Sequence, residues 1–230
     1  MAERAFLPHL AYDSVVFGFS GDELKILIME YHNTGLFALP GGFVGSNEDL
    51  DLAVRRGLAE RTGLSDIYLE QFHAFGSMAR YNPEVMATIL RANGYDPERD
   101  FSWMLYRFVT IAYYALINYK DVVPKPDALS DSCRWYPVKE LPKLILDHEG
   151  IVEKAVLTLR ENLDRKLVGG NLLPQRFTMK ELQHVYEAIL DTKLRRTTFQ
   201  RTMLATGRLK RYDKQYSGKA HKAPYLYSFT

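Results

Sequence analysis

The sequence predicts an α+β protein of two domains: an N-terminal α/β/α sandwich built on a mixed sheet, and a smaller, helix-rich C-terminal domain. Strand-like apolar runs alternate with helical patterns along most of the 230 residues, and a Gly-Gly pair follows near residue 168. The charge changes sign close by. Residues 1–159 hold 15 Lys and Arg against 22 Asp and Glu, whereas residues 160–230 hold 15 against 6. The net charge of +2 therefore hides an acidic body and a basic tail.

The composition excludes several classes of protein. With 47% hydrophobic and 25% charged residues, the chain is not disordered, collagen-like or a coiled coil. Its one cysteine, Cys133, excludes an internal disulfide and favours a reducing compartment. No apolar run approaches the ~18 residues of a membrane span, and the N-terminus has no signal-peptide pattern. We therefore expect a cytoplasmic protein with no membrane partner.

The N-terminal domain is predicted to open with two strands joined by a turn of about four residues at 20–23. Caps at Asn47 and Asp49 begin a helix that Gly63 ends. A second long helix, 149–166, follows Asp147 and His148 and leads to a linker, which divides the chain into domains 1–168 and 169–230. The predicted strands are residues 13–19, 24–31, 67–75, 108–119 and 134–138.

The C-terminal domain reads as two helices followed by a basic hairpin. Thr178 and Glu181 form a capping box for a helix to about residue 190, and a second helix covers 193–204. Residues 209–212 and 225–229 are predicted strands, the latter alternating like an edge strand. This is the order of a winged helix-turn-helix domain. Its predicted core is Phe177, Leu182, Tyr186, Ile189, Phe199, Met203 and Leu204.

One segment carries a family resemblance. Gly42-x5-Glu48-x7-Arg56-Gly57-Leu58-Ala59-Glu60-Arg61-Thr62-Gly63-Leu64 resembles the Nudix box, Gly-x5-Glu-x7-Arg-Glu-U-x-Glu-Glu-x-Gly-U, where U is a bulky aliphatic residue. The spacing agrees over the whole frame, so the resemblance implies a Nudix-like fold for the N-terminal domain.

The resemblance also implies a change of chemistry. Nudix hydrolases use the clustered glutamates of the box to hold Mg²⁺ or Mn²⁺, but here Gly57 and Arg61 replace two of the three and only Glu60 remains. We therefore expect no catalytic residue, no metal and no cofactor. The candidate effector-pocket residues are Gly42, Glu48, Arg56, Glu60 and Arg80. Glu48, Arg56 and Glu60 have a plainer interpretation as loop and helix scaffolding.

The basic tail predicts double-stranded DNA as a partner. Arginine and glutamine on a major-groove helix can contact bases, and lysines in a wing reach phosphates. The candidate DNA-binding residues are Arg195, Arg196, Thr197, Thr198, Gln200, Arg201, Lys210, Arg211, Lys219 and Lys222.

Further motifs of the chain are Leu39-Pro40-Gly41-Gly42-Phe43, Leu146-Asp147-His148 and, in the tail, Phe177-Thr178-Met179-Lys180-Glu181-Leu182-Gln183. With these motifs the whole chain resembles the bacterial Nudix-related transcriptional regulators, in which a Nudix-like domain senses a small molecule and a winged helix binds operator DNA as a homodimer. The resemblance implies an effector-responsive repressor whose effector is a sugar or an ADP-ribose-like nucleotide. Residues 74–76 and the AYYALIN run are more similar to the arabinose-regulator branch. Residues 77–107 depart from the family as an insertion, either a surface or dimer-packing element or a lid over the effector pocket.

Two other functions remain open at this level. An active Nudix hydrolase of ADP-ribose or a related nucleoside diphosphate would need a metal site rebuilt from Glu48, Glu60 and an acid outside the box. A protein-binding adaptor would use the basic tail to meet an acidic partner. Hydrolysis of ADP-ribose would indicate the hydrolase, and failure to bind duplex DNA would indicate the adaptor.

Overall fold

The computed structural model describes residues 6–20, 22–65, 67–166, 171–214 and 223–230. In the N-terminal domain the elements are β1 (Phe6–Ser20), β2 (Glu23–Tyr31), β3 (Phe37–Ala38), β4 (Gly41–Gly45), α1 (Leu50–Thr62), β5 (Tyr68–Phe75), α2 (Pro83–Ala92), α3 (Pro97–Asp100), β6 (Val109–Leu116), β7 (Ser130–Pro137) and α4 (His148–Lys166). In the C-terminal domain they are β8 (Phe177–Thr178), α5 (Met179–Leu190), α6 (Arg196–Ala205), β9 (Leu209–Lys214) and β10 (Tyr225–Phe229).

The N-terminal sheet is mixed, as predicted. Its main order is β3-β2-β1-β6-β5, with β4 paired to β1 and β7 paired to β2. β1 and β6 run parallel, and the other pairs are antiparallel. Adjacent residues of β1 point to opposite faces, and both Val15 and Val16 are completely buried. Val16 packs with Val54 and Leu58 of α1, and Val15 packs with Leu159 of α4, so helices cover both faces.

Pairing extends β1 and β7 beyond their predicted ranges, whereas β6 (Val109–Leu116) is shorter than the predicted 108–119 because its pairing with β1 and β5 ends at Leu116. β1 begins at Phe6, since Phe6 pairs with Gly45 of β4 and Leu10 with Val109 of β6. β7 begins at Ser130 because it follows β2 along its length. The turn between β1 and β2 is shorter than the expected four residues, since Ser20 pairs with Glu23.

Helix α1 begins after Asp49 and ends at Gly63, as the sequence predicts, but the Asp49 side chain makes no capping hydrogen bond with the described residues. Gly63 ends it in the left-handed conformation, with φ of 75°, and donates its N–H to the Ala59 carbonyl. Helix α4 also agrees with its prediction, and it begins at His148.

The C-terminal domain has the predicted order of helix, helix and hairpin. The Thr178–Glu181 capping box is present at the start of α5. The small sheet has the order β8-β10-β9, so β10 is the central strand and its prediction as an edge strand is wrong. The physical reason is that Leu226 and Tyr227 pair with Thr178 and Phe177 on one side while β9 pairs on the other.

The core of the C-terminal domain contains six of the seven predicted residues. Leu204 is the exception: it is 44% exposed, because α6 turns Phe199 and Met203, four residues apart, towards α5. The six buried residues are Phe177, Leu182, Tyr186, Ile189, Phe199 and Met203.

Helix α4 contacts the C-terminal domain directly. Arg160 Nε donates to the Ile189 carbonyl at 2.7 Å, and the Tyr186 hydroxyl donates to the Leu163 carbonyl at 3.3 Å. Buried apolar side chains continue from Leu159 of α4 to Leu182 and other residues of α5. The predicted domain boundary near 168 lies outside the described residues and stays a prediction. No described helix has the length and apolar character to cross a membrane.

Candidate functional site

A cavity of about 280 Å³ lies at the edge of the N-terminal sheet. Its walls come from β1, β4, the end of α1, the 77–107 insertion and the start of α4. Its polar lining includes Tyr12, Asp13, Arg61, Arg80, Asp127 and His148, and its apolar lining includes Met29, Leu39, Phe43, Met86, Met104, Phe108 and Ile145. A concave apolar space with a few converging polar groups is typical of a small-molecule site.

Arg61, which stands where the box has a glutamate, turns inward and is buried. Its Nη1 donates to the Gly57 carbonyl and its Nη2 to the Gly41 carbonyl, each at 3.0 Å. Nη2 also pairs with Asp127 Oδ2 at 2.9 Å, and Nε lies 3.2 Å from the Met29 sulfur. The guanidinium therefore fixes a cation in the box helix where the family has an acid.

Gly57, the second altered position of the box, leaves no room for a side chain. A Cβ there would lie 2.1 Å from the Tyr12 hydroxyl oxygen, and a Cβ at Gly42 would lie 2.5 Å from the same oxygen. The Tyr12 phenol thus fills the space between two box glycines. Burial raises the pKa of this phenol, so it stays neutral at pH 7.

The divalent metal that the Nudix fold implies does not fit these residues. Gly57 offers no ligand, and the Arg61 guanidinium repels a cation. Among the described residues, no group of three or more His, Cys, Asp or Glu side chains is placed to hold a metal ion.

The close approach of Tyr12 to Gly57 gives a test. Gly57→Ala should destabilise the protein by about 1–3 kcal/mol, because its Cβ overlaps the Tyr12 hydroxyl. Adding Tyr12→Phe removes that oxygen and should recover part of the loss. Denaturant unfolding of the two single variants and the double variant measures this coupling. Additive effects would contradict the packing described here.

Glu48, Arg56 and Glu60 form an ion-pair cluster outside the cavity lining. Glu48 accepts hydrogen bonds from Arg56 Nε at 2.8 Å and Nη2 at 2.9 Å and from the Gly45 N–H at 3.1 Å, and Arg56 lies 3.6 Å from Glu60. The hydrogen bonds from Arg56 lower the pKa of Glu48 to about 2. The cluster holds the loop between β4 and α1 in place.

Of the five effector-pocket candidates, Gly42 and Arg80 line the cavity; an effector contact for any of them stays a prediction.

Arg80 connects the insertion to the start of α4. Its Nη2 lies 3.2 Å from Asp13 Oδ2 and its Nη1 lies 3.0 Å from Asp147 Oδ1. The next residue, His148, accepts the Leu39 N–H on Nδ1 at 3.0 Å. Burial lowers the pKa of His148, so its imidazole is neutral at pH 7 and carries its proton on Nε2.

Several of these cavity residues give no local signal in the sequence. Asp13 and Tyr12 lie in an apolar strand, and Asp127 lies in a connection before β7. They meet Arg80 and Arg61 only because segments 66 and 67 residues apart fold against each other. Asp147 and His148 carried a signal as helix caps and as part of the Leu146-Asp147-His148 motif of the regulator family.

The insertion is more than a surface element, since it forms one wall of the cavity. Arg80, Met86 and Met104 face the cavity, while Ile89 and Leu90 of α2 are fully buried. An aromatic cluster joins the insertion to the sheet. The ring centre of Phe43 lies 4.7 Å from that of Trp103 and 5.3 Å from that of Phe108, and the ring centres of Phe6 and Trp103 are 5.7 Å apart. The insertion therefore shapes the cavity, and its role as a lid stays a prediction.

The outer side of α6 presents most of the candidate DNA-binding residues. Phe199 on the inner side packs its ring 5.1 Å from Tyr186, which directs the opposite side of the helix to solvent. Gln200 is half-buried, and Lys219 and Lys222 lie outside the described residues. The exposed candidates are Arg195, Arg196, Thr197, Thr198, Arg201, Lys210 and Arg211.

One basic residue of β9 and one that directly precedes β8 are held against tyrosine rings of the small sheet. The Arg176 guanidinium lies 4.4 Å from the Tyr212 ring centre, and Arg211 lies 4.8 Å from that of Tyr225. Such stacking fixes the direction of an arginine while leaving its N–H groups for phosphate. Arg176 was not among the predicted contacts, although it stands beside Phe177 at the start of the domain.

Comparison with known proteins agrees with this two-part architecture. Residues 7–156 match the NUDIX domain family, and residues 169–229 match the NrtR DNA-binding winged helix domain. The chain belongs to the NrtR-type Nudix regulators. One relative, from Acinetobacter baylyi, is named ADPR responsive transcriptional repressor NtrR; it is 31% identical, over 99% of this chain and 88% of its own.

Solved structures of NrtR proteins have the same fold along nearly the whole chain. Shewanella oneidensis NrtR is 29% identical, with a TM-score of 0.72 over 96% of this chain and 94% of its own. The same protein complexed with a 27mer DNA gives a TM-score of 0.72, covering 96% of this chain and 93% of its own. The comparisons do not support the expected similarity to the arabinose-regulator branch, because the full-length relatives named here are NrtR proteins.

Proposed function

We propose that this NrtR-type regulator is a transcriptional repressor whose binding to operator DNA is controlled by ADP-ribose or a closely related nucleotide. The observation that carries the proposal is the similarity along 99% of the chain to an ADPR responsive repressor. The cavity in the N-terminal domain and the exposed basic side of α6 support this proposal, since an effector site needs the first and a DNA contact the second.

The Nudix-type domain, in this proposal, binds its effector without hydrolysing it. The Tyr12 phenol closes the space at Gly57, and Arg61 carries positive charge beside it. Phosphoryl chemistry in the Nudix family relies on a divalent ion held by box carboxylates, and these residues do not form that site. The rival function, a Nudix hydrolase, finds no support in this geometry.

The repressor proposal is tested by fluorescence anisotropy with a duplex that the protein itself selects from a random DNA pool. We expect specific binding whose affinity changes when ADP-ribose is added, and no release of AMP from ADP-ribose with or without Mg²⁺. Absence of specific DNA binding, or an affinity indifferent to ADP-ribose, would overturn the proposal. Metal-dependent release of AMP would instead support the hydrolase.

A homodimer is part of the same proposal. Winged-helix regulators use two recognition helices on two half-sites, so the selected duplex is expected to be palindromic. Light scattering of the purified chain should give twice the 26.5 kDa of one protomer. A monomeric mass together with a single half-site would contradict the dimer.

Arg201→Ala should weaken operator binding. Arg201 is exposed on the outer side of α6, where a base contact is worth about 1–3 kcal/mol, a loss of about 5- to 150-fold in affinity. Anisotropy titrations at several salt concentrations distinguish a base contact from a phosphate contact, because loss of a phosphate contact also reduces the salt dependence of the affinity. Arg91→Ala, an exposed arginine in the N-terminal domain, is the matched control. Unchanged affinity at fixed salt would remove Arg201 from the interface.

A further inference from the structure

The buried end of the cavity contains a donor and an acceptor set apart from each other. Asp13 Oδ1 and His148 Nε2 lie 3.7 Å apart, which is too long for a hydrogen bond. Both side chains are more than nine-tenths buried and both line the cavity. Among the described residues, neither atom has a hydrogen-bond partner. Arg80 donates to the other oxygen of Asp13, Oδ2, and the Leu39 N–H donates to the other nitrogen of His148, Nδ1.

The hydrogen-bonding roles of these two atoms follow from the contacts that the same side chains make elsewhere. The Leu39 N–H donates to Nδ1 of the neutral imidazole, so Nε2 carries the hydrogen and is a donor. Arg80 pairs with Oδ2 of Asp13, which leaves Oδ1 as an acceptor. An oxygen atom about 2.8 Å from both atoms fits this spacing. A hydroxyl group satisfies both at once, because it accepts from Nε2 and donates to Oδ1.

The charge at this end of the cavity does not suit a phosphate. Two carboxylates, Asp13 and Asp147, surround the single guanidinium of Arg80, and His148 is neutral. A buried phosphate would need unpaired cations or several N–H donors. The outer part of the cavity has aromatic side chains instead, including Tyr106, which is 57% exposed and suits a planar base.

We propose that Asp13 and His148 bind a hydroxyl of the terminal ribose of an ADP-ribose-like effector, with the diphosphate and the base nearer the cavity mouth. This assignment rests on the proposed function and adds to it the group that the protein recognises. It distinguishes ADP-ribose from ADP, which lacks the terminal ribose.

The assignment also places the effector on the helix that reaches the DNA-binding domain. His148 is the first residue of α4, and Arg160 near the other end of α4 donates to the Ile189 carbonyl of α5. A hydroxyl bound to His148 therefore contacts the same helix that packs on the winged helix. The effector changes DNA affinity only if it binds the two placements of α4 with different affinity.

Isothermal titration of the full chain with ADP-ribose and with ADP tests the assignment, using two variants of His148. The Asn amide oxygen takes the place of Nδ1, so His148→Asn keeps an acceptor for Leu39 but loses the Nε2 donor. His148→Gln places an amide N–H near the position of Nε2. We expect wild type to prefer ADP-ribose and His148→Asn to bind it about tenfold more weakly, with ADP affinity unchanged. His148→Gln should keep part of the preference.

The outcomes separate this assignment from the proposed function. A wild-type preference for ADP-ribose that persists in His148→Asn would overturn the assignment alone. A wild type that binds neither nucleotide would overturn the proposed effector and the assignment with it. Should His148→Asn fail to fold in a thermal melt, ADP-ribose analogues that each lack one hydroxyl of the terminal ribose are titrated into wild type. At least one is expected to bind about tenfold more weakly, and equal affinities would overturn the assignment.

Discussion

Arg80→Met is expected to destabilise the protein by about 3–5 kcal/mol, which is the usual effect of removing one partner from a buried ion pair. The Arg80 side chain is 5% exposed and lies between the carboxylates of Asp13 and Asp147, which are 9% and 19% exposed. Methionine fills similar space but leaves both carboxylates without their cation. The two acids then repel each other across the start of α4, so the loss is greater than that of a single broken pair at the surface.

Denaturant unfolding measures this effect, and a second variant identifies its cause. Adding Asp147→Asn to Arg80→Met removes one of the two uncompensated charges and should recover part of the lost stability. Arg91→Ala is the matched control, because Arg91 lies in the same insertion but its side chain is 58% exposed and pairs with the exposed Glu84. We expect the control to change stability by no more than about 0.5 kcal/mol. A mild effect of Arg80→Met would show that the insertion does not depend on these ion pairs.

Phe199→Ala is expected to destabilise the C-terminal domain by about 3–5 kcal/mol and to abolish specific DNA binding. Phe199 is 6% exposed, and its ring packs against Tyr186 of α5. Together with Met203 it provides the buried contact of α6, so its removal leaves a cavity beneath the helix that carries Arg196 and Arg201. The helix would then lose the fixed orientation that a major-groove contact needs.

Two measurements distinguish this loss from general unfolding. Far-ultraviolet circular dichroism during thermal melting should show an early transition of the C-terminal domain, while ADP-ribose binding by the N-terminal domain is retained. Leu204→Ala is the control on the same helix, since Leu204 is 44% exposed and its truncation should cost little. Normal DNA binding by Phe199→Ala would contradict the placement of α6 on α5.

The two replaced box positions take part in the packing of the N-terminal domain. Arg61 is bonded to Gly57 and Gly41 and paired with Asp127, so the position of a lost carboxylate now holds part of the domain together. Restoring glutamates at Gly57 and Arg61 alone is not expected to restore a metal site. The new side chain at 57 would meet the Tyr12 hydroxyl, and Asp127 would lose its cation.

Local sequence patterns were sufficient to predict the order of the main helices and strands and several of their ends. The box spacing placed α1 and its end at Gly63, and the Thr178–Glu181 pair placed the start of α5. They were not enough for strand lengths or for the place of β10 in its sheet, because a strand extends as far as a partner pairs with it.

Residue spacing, helix caps and charge were sufficient to recognise a Nudix box with two altered positions and a basic winged-helix domain, because these features act within a few residues of one another. The folded structure was needed to find that Tyr12 occupies the space at Gly57, that Arg61 pairs with Asp127, and that Arg80 joins Asp13 to the start of α4. Each of those contacts joins residues more than 40 positions apart in the chain. Such contacts arise from the packing of distant segments into one core, which no local pattern records.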